Sequence, residues 1–150
     1  MSSRLKFRQA APSAAQTLDD MRAYLARSGL DAKLRLLVEI RISQINGCAY
    51  CVDTHIREAR AAGETQQRLD CLVVWREALA VFDARERAAL AWAEALTLIA
   101  QTHAPDEIYA QVRAQFDDKS LADLTLAIVG MNAWNRIGVG FAMQPAVRQS

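Results

Sequence analysis

The chain has 150 residues, 52% of them hydrophobic, with 18 Lys and Arg set against 17 Asp and Glu for a net charge of +1. That length fits one domain over residues 1–150, and the apolar content fills a sizeable core with some left to bury between subunits. No basic stripe offers a nucleic-acid surface, no apolar run is long enough to span a membrane, and the first sixteen residues lack the apolar stretch of a secretory signal, so a cytoplasmic location is expected.

Three prolines and six glycines interrupt apolar residues that recur at helical spacing throughout, with no alternating strand pattern, linker or internal repeat. Thr17 to Ser28 reads as a first helix, stopped near Gly29. Asp31 is placed to cap a second, whose apolar face is Leu34, Leu37, Val38, Ile42 and Ile45. Asn46-Gly47 predicts a break, and a third helix runs from Cys48 to about Ala62, ending at Gly63. Thr65 begins a helix through Leu69, Leu72, Val73 and Leu79. Asp83-Ala-Arg-Glu86 has the form of a capping box ahead of a long helix through Leu90, Leu96 and Ile99. Pro105 fits the first turn of a helix bearing Ile108, Val112 and Phe116. Ser120 with Asp123 caps a last long helix through Leu124, Ile128, Met131 and Trp134. The expected fold is all-α, an antiparallel bundle of about six to seven helices.

The chemistry concentrates between Glu39 and Ile56. Cys48-Ala49-Tyr50-Cys51 places two thiols close enough to cycle between dithiol and disulfide, and in a reducing compartment such a pair points to catalysis or metal binding rather than to a structural bridge. At about 100° per residue, Cys48 and Cys51 lie roughly 60° apart, and His55 returns to within about 20° of Cys48. His55 also stands four residues after Cys51, where it can take a thiol proton. Glu39 falls on the opposite face of a continuous helix, and joins the site only if the chain bends at Asn46-Gly47. The break sets Cys48 at a helix start, where unpaired N–H groups favour thiolate. Structural zinc needs four ligands, and only Cys48, Cys51 and His55 are near one another in sequence. Cys71, among Leu69, Leu72 and Val73, reads as a core residue, and His103 is assigned no role.

Glu39, Asn46-Gly-Cys48-Ala-Tyr50-Cys51 and His55, followed by Arg57-Glu-Ala-Arg-Ala-Ala-Gly63, together resemble the alkylhydroperoxidase D-like core family of the carboxymuconolactone decarboxylase superfamily. The likeness extends through Trp75-Arg-Glu, the stretch from Phe82 to Glu94, and Asn132-Ala-Trp-Asn-Arg136. It implies an all-α, alkylhydroperoxidase D-like fold assembled as a trimer or hexamer. It also implies a peroxidase that reduces organic hydroperoxides, with electrons from a lipoyl-bearing or thioredoxin-type donor. By that resemblance Cys51 is the peroxidatic thiol, Cys48 resolves it, and Glu39 and His55 form a proton relay, with no cofactor or metal required. The helix-start argument taken alone favours Cys48 as the more acidic thiol. Two other activities fit the same residues: a carboxymuconolactone decarboxylase-type reaction, and redox sensing or disulfide exchange without turnover.

Overall fold

In a computed structural model that describes residues 4–149, nine α-helices are present among the described residues, and no strand. Helix α1 (Phe7–Ala10) is a single turn, and α2 (Pro12–Arg27) starts with its proline in the first turn. Next come α3 (Ala32–Asn46), α4 (Ala49–Ala61) and α5 (Gln66–Cys71), the last followed by a 3₁₀ turn at Leu72–Val74. The chain finishes with α6 (Ala84–Thr97), α7 (Ile99–Thr102), α8 (Asp106–Arg113) and the long α9 (Asp118–Gly140).

Helix α3 is the axis of the fold and packs against α4, α6 and α9. Leu37, Val38, Ile40 and Ile42 on it are fully buried, which explains why its apolar residues encircle the helix instead of forming one stripe. Each such side chain contributes about 1.5–3 kcal/mol of burial. Leu90 of α6 and Leu124 and Ile128 of α9 complete the core around it. Helix α2 lies on α9, α8 on α6, and α1 on α2.

Local chemistry sets most of the boundaries. Asp31 accepts the Leu34 N–H at 2.8 Å, Thr65 accepts that of Arg68, and Asp83 and Glu86 form a reciprocal capping box. At the end of α3, Gly47 adopts φ +68° and ψ 31°, a conformation that glycine takes without strain. The Gly47 N–H bonds to the Gln44 carbonyl and the Cys48 N–H to the Ser43 carbonyl, a Schellman closure. The chain therefore breaks at Asn46-Gly47, and Cys48 is the cap of α4 rather than a residue of its first turn.

Several predicted boundaries are corrected. The helices outnumber the predicted six to seven because short turns at α1 and α7 stand apart from their neighbours. The first long helix begins at Pro12 rather than Thr17. The helix from Thr65 stops at Cys71, because Trp75 and Phe82 turn into the core and Arg68 and Arg87 bond the carbonyls of Val81, Trp75 and Arg76. Pro105 caps α8 from outside. The last helix is capped by Asp117, which accepts the Ser120 N–H at 2.7 Å. Asp123 lies a turn inside and holds Tyr24 and Lys119 instead.

A polar seam ties the end of α3 to α9. Asn46 Nδ2 donates to the side-chain oxygens of Asn132 and Asn135, each at 3.0 Å. Fully buried Asn135 donates to Ser43 Oγ at 3.0 Å, and Ser43 Oγ lies 2.8 Å from the Glu39 carbonyl, to which it donates. Replacing Asn135 with Ala should leave Asn46 and Ser43 short of partners and cost about 1–3 kcal/mol. A lower urea midpoint with an unchanged denaturant slope is the expected result.

Candidate active site

Cys48 and Cys51 form a disulfide, with Cα atoms 5.3 Å apart. The Cys51 N–H points at the Cys48 sulfur, 3.3 Å away, so the cysteine side chain itself caps α4. Both residues are nearly enclosed, at 2% and 5% exposure. They border different hollows. Cys51 lines a cavity of about 90 Å³ together with His55, Tyr50, Thr54, Met131 and Trp134. Cys48 borders a separate shallow groove formed with Gly47, Val52, Asp53 and Ile56.

Because α4 folds back along α3 after the bend, Glu39 comes to His55. Its Oε2 lies 3.6 Å from His55 Nδ1, while its Oε1 accepts from Arg35 at 2.8 Å one turn earlier on α3. Glu39 and His55 are both about 95% buried, and Glu39 Oε2 has no hydrogen-bond partner among the described residues. A buried ion pair such as Arg35–Glu39 is a poor stability device, because desolvation offsets most of the attraction. An orphaned carboxylate oxygen beside an imidazole is a familiar mark of a site rather than of a core.

The second acid on His55 is Glu58, whose Oε2 lies 3.1 Å from Nδ1 and accepts from Arg22 of α2 at 2.6 Å. The His55 hydrogen bond, opposed by desolvation and reinforced by Arg22, lowers the Glu58 carboxyl to about 2. At the mouth of the cavity Arg8 holds Asp19 through two bonds of 2.6 and 2.9 Å and stacks over Trp134. Thr54 Oγ1 sits buried in the cavity wall without a partner among the described residues. Among those residues no group of three or more His, Cys, Asp or Glu is arranged to hold a metal ion, and no helix is long and apolar enough to cross a membrane.

Residues 12–95 match the sequence model of the carboxymuconolactone decarboxylase family. The chain belongs to that family. The uncharacterized protein YdfG of Bacillus subtilis is 40% identical over 97% of this chain and 99% of its own length. The uncharacterized protein YnjA of Escherichia coli is 36% identical over 70% of this chain and 56% of its own. A crystal structure of an Agrobacterium tumefaciens protein of unknown function, suggested to be the antioxidant defence protein AhpD, superposes with a TM-score of 0.94. It shares 40% identity over 98% of this chain and 100% of that one. An uncharacterized peroxidase-related protein from Silicibacter sp. TM1040 superposes at 0.77, with 25% identity over 88% of this chain and 70% of that one. The fold is thus that of the alkylhydroperoxidase D-like members of the family.

All four residues singled out by sequence lie in one place, Glu39 and His55 side by side and the two cysteines bonded. Cys71 is a free, half-buried thiol packed against the core, away from this site. Sequence reasoning passed over Glu58, although it stands three residues after His55 on the same helix face. It also passed over Arg22 and Gly138. On α9, a Cβ added to Gly138 would come within 2.7 Å of the Cys48 sulfur and 3.4 Å of the Cys51 sulfur. Glycine costs a helix interior about 1 kcal/mol against alanine, and here it makes room for the disulfide. Gly138→Ala should therefore disfavour the disulfide, whose sulfurs are fixed, more than the dithiol, whose sulfurs rotate. The overpacking cost is about 1–3 kcal/mol. Equilibration with glutathione should show a shift of about tenfold toward the dithiol, equivalent to about 30 mV.

Proposed function

We propose that this protein is a thiol-dependent peroxidase that reduces organic hydroperoxides through the Cys48–Cys51 pair. The observation that carries the reading is the redox-linked pair itself, with one sulfur opening beside a buried His55–Glu39 couple onto a small cavity. The antioxidant role suggested for the Agrobacterium relative supports it.

In the reduced enzyme His55, backed by Glu39 through an intervening water, takes the proton of the Cys51 thiol. The thiolate attacks the terminal peroxide oxygen. The O–O bond breaks, the alkoxide leaves as the alcohol with a proton from the relay, and Cys51 becomes a sulfenic acid. Cys48 then attacks the Cys51 sulfur, forming the disulfide and expelling water. Two electrons from a dithiol donor, of the lipoyl or thioredoxin type, restore the pair. Donor attack on Cys48 releases Cys51 as thiolate beside the cavity it shares with His55. The amides at the start of α4 stabilise charge on Cys48 during exchange, which reconciles its capping position with a resolving role. The decarboxylase reaction that gives the family its name needs no such pair.

We extend the reading to a homo-oligomer, a trimer or hexamer working in the cytoplasm. Val73, Val74 and Leu79 are each exposed after α5, and Val129 and Val139 are exposed on α9. Light scattering at micromolar concentration should give a multiple of the chain mass; a stable monomer removes the claim.

Turnover of cumene hydroperoxide with dihydrolipoamide or thioredoxin tests the activity. Cys51→Ser should abolish it. Cys48→Ser should permit one oxidation and then stall, with sulfenic acid trapped at residue 51; sulfenic acid at residue 48 in Cys51→Ser reverses the roles. His55→Ala and Glu39→Gln should slow the reaction by about a hundred- to ten-thousandfold. That deficit should shrink as pH rises toward about 8.5, where the thiol ionises unaided. Full activity in both cysteine variants excludes the dithiol cycle.

A further inference from the structure

His55 Nδ1 carries at most one proton, and two carboxylates face it. Glu39 Oε2 stands at 3.6 Å, beyond hydrogen-bond reach, and Glu58 Oε2 at 3.1 Å, within it. The two acids are also anchored differently. Glu39 is tied to Arg35 through its other oxygen on its own helix, whereas the Glu58 oxygen that meets His55 also receives Arg22 from α2. We propose that Glu58 is the positioning residue of this site: it accepts the Nδ1–H of His55, holds the lone pair at Nε2 toward the Cys51 cavity, and is itself fixed by Arg22. The proposal rests on the reading of His55 as the base for Cys51.

A histidine ring has two tautomers, and the partner of one nitrogen decides which proton the other carries. A base directed at Cys51 needs an unprotonated Nε2, hence a proton on Nδ1 and an acceptor for it. The logic is that of the carboxylate which orients the histidine of a serine-protease triad. An i,i+3 acid–histidine pair on an open helix face gives little order. Here the imidazole is buried, its carboxylate is held from a second helix, and the acid stays ionised well below neutral pH. The charged and titratable groups around His55 are Cys51 and Glu58 from α4, Glu39 backed by Arg35 from α3, and Arg22 with Asp19 from α2. Arg8 of α1 pairs with that Asp19, and α9 presents only Met131 and Trp134 to the cavity. Removing Glu58 deletes the nearest acceptor for Nδ1–H and frees Arg22.

The test uses the full-length, reduced protein and no peroxide. Nitrogen-15 spectra of His55 should show the neutral ring with its proton on Nδ1 in the parent. In Glu58→Ala the proton should move to Nε2, the tautomer favoured in water. In Glu58→Gln the amide oxygen still accepts Nδ1–H, so the tautomer should hold. Iodoacetamide alkylation of Cys51 at pH 7 should slow by about ten- to a hundredfold in Glu58→Ala, the range found when orienting carboxylates are removed from histidines in metal sites. Glu58→Asp, which keeps the charge, should recover part of that rate. A parent ring protonated on Nε2, or a tautomer that changes in Glu39→Ala but not in Glu58→Ala, overturns the proposal. An alkylation rate that follows only the melting temperature across the variants overturns it too. Absence of peroxide turnover in a parent with the expected tautomer and alkylation counts against the peroxidase reading alone.

Discussion

The backbone closure at Gly47 is the constraint on which the site depends. One residue, Cys48, serves two helices: its N–H closes the end of α3 on the Ser43 carbonyl, and its sulfur opens α4 by accepting the Cys51 N–H. Sharing it leaves no slack in the reversal, so α4 must run back along α3 at a fixed offset. That offset turns a separation of sixteen positions between Glu39 and His55 into a contact of 3.6 Å. A non-glycine residue at position 47 would pay for the left-handed conformation there. The seam of Asn46, Asn132, Asn135 and Ser43 then fixes the reversal to α9, the helix that also presses Gly138 against the sulfurs.

The charges around His55 are costly to bury, and their arrangement explains why they persist. Arg35 and Glu39 stay almost wholly out of water, yet Glu39 gives only one oxygen to its partner and leaves the other facing the imidazole. An unsatisfied buried acceptor costs about 1–3 kcal/mol. Packing would favour replacing the pair with apolar side chains, as buried ion pairs often tolerate. What such a replacement loses is a free carboxylate oxygen held against the imidazole of His55.

Much of this was legible in the sequence wherever the governing interaction is local. Asp31, Thr65 and the Asp83–Glu86 box announce helix starts because each bonds an amide within three residues. The bend was readable because Asn-Gly marks a left-handed cap, and with it the meeting of Glu39 and His55. The errors fall where tertiary contacts decide. At the start of α9 both Asp117 and Ser120 are able caps, and nothing local says that Asp123 is needed by Tyr24, ninety-nine residues away. The helix from Thr65 looked continuous to Leu79, yet Trp75 and Phe82 gain more by entering the core than the backbone gains by staying helical. Gly138 carries no signal at all, since its reason is an approach through space.

The two sulfurs of the pair are chemically alike and structurally unlike, and in the cycle proposed above that asymmetry sets a direction. Cys48 is held by a helix-start amide and borders a shallow groove; Cys51 stands inside α4 and lines the cavity it shares with His55. In thiol–disulfide exchange the attacked sulfur keeps the incoming group and the other leaves as thiolate. Attack on Cys48 would therefore free the sulfur of Cys51, beside the cavity and His55. Attack in the reverse sense would require a bulky donor to enter about 90 Å³ already bordered by Arg8, Tyr50 and Trp134. Under the proposed cycle, peroxide and reductant would therefore be separated by size and by face, one on each side of a disulfide only 5.3 Å across its Cα atoms.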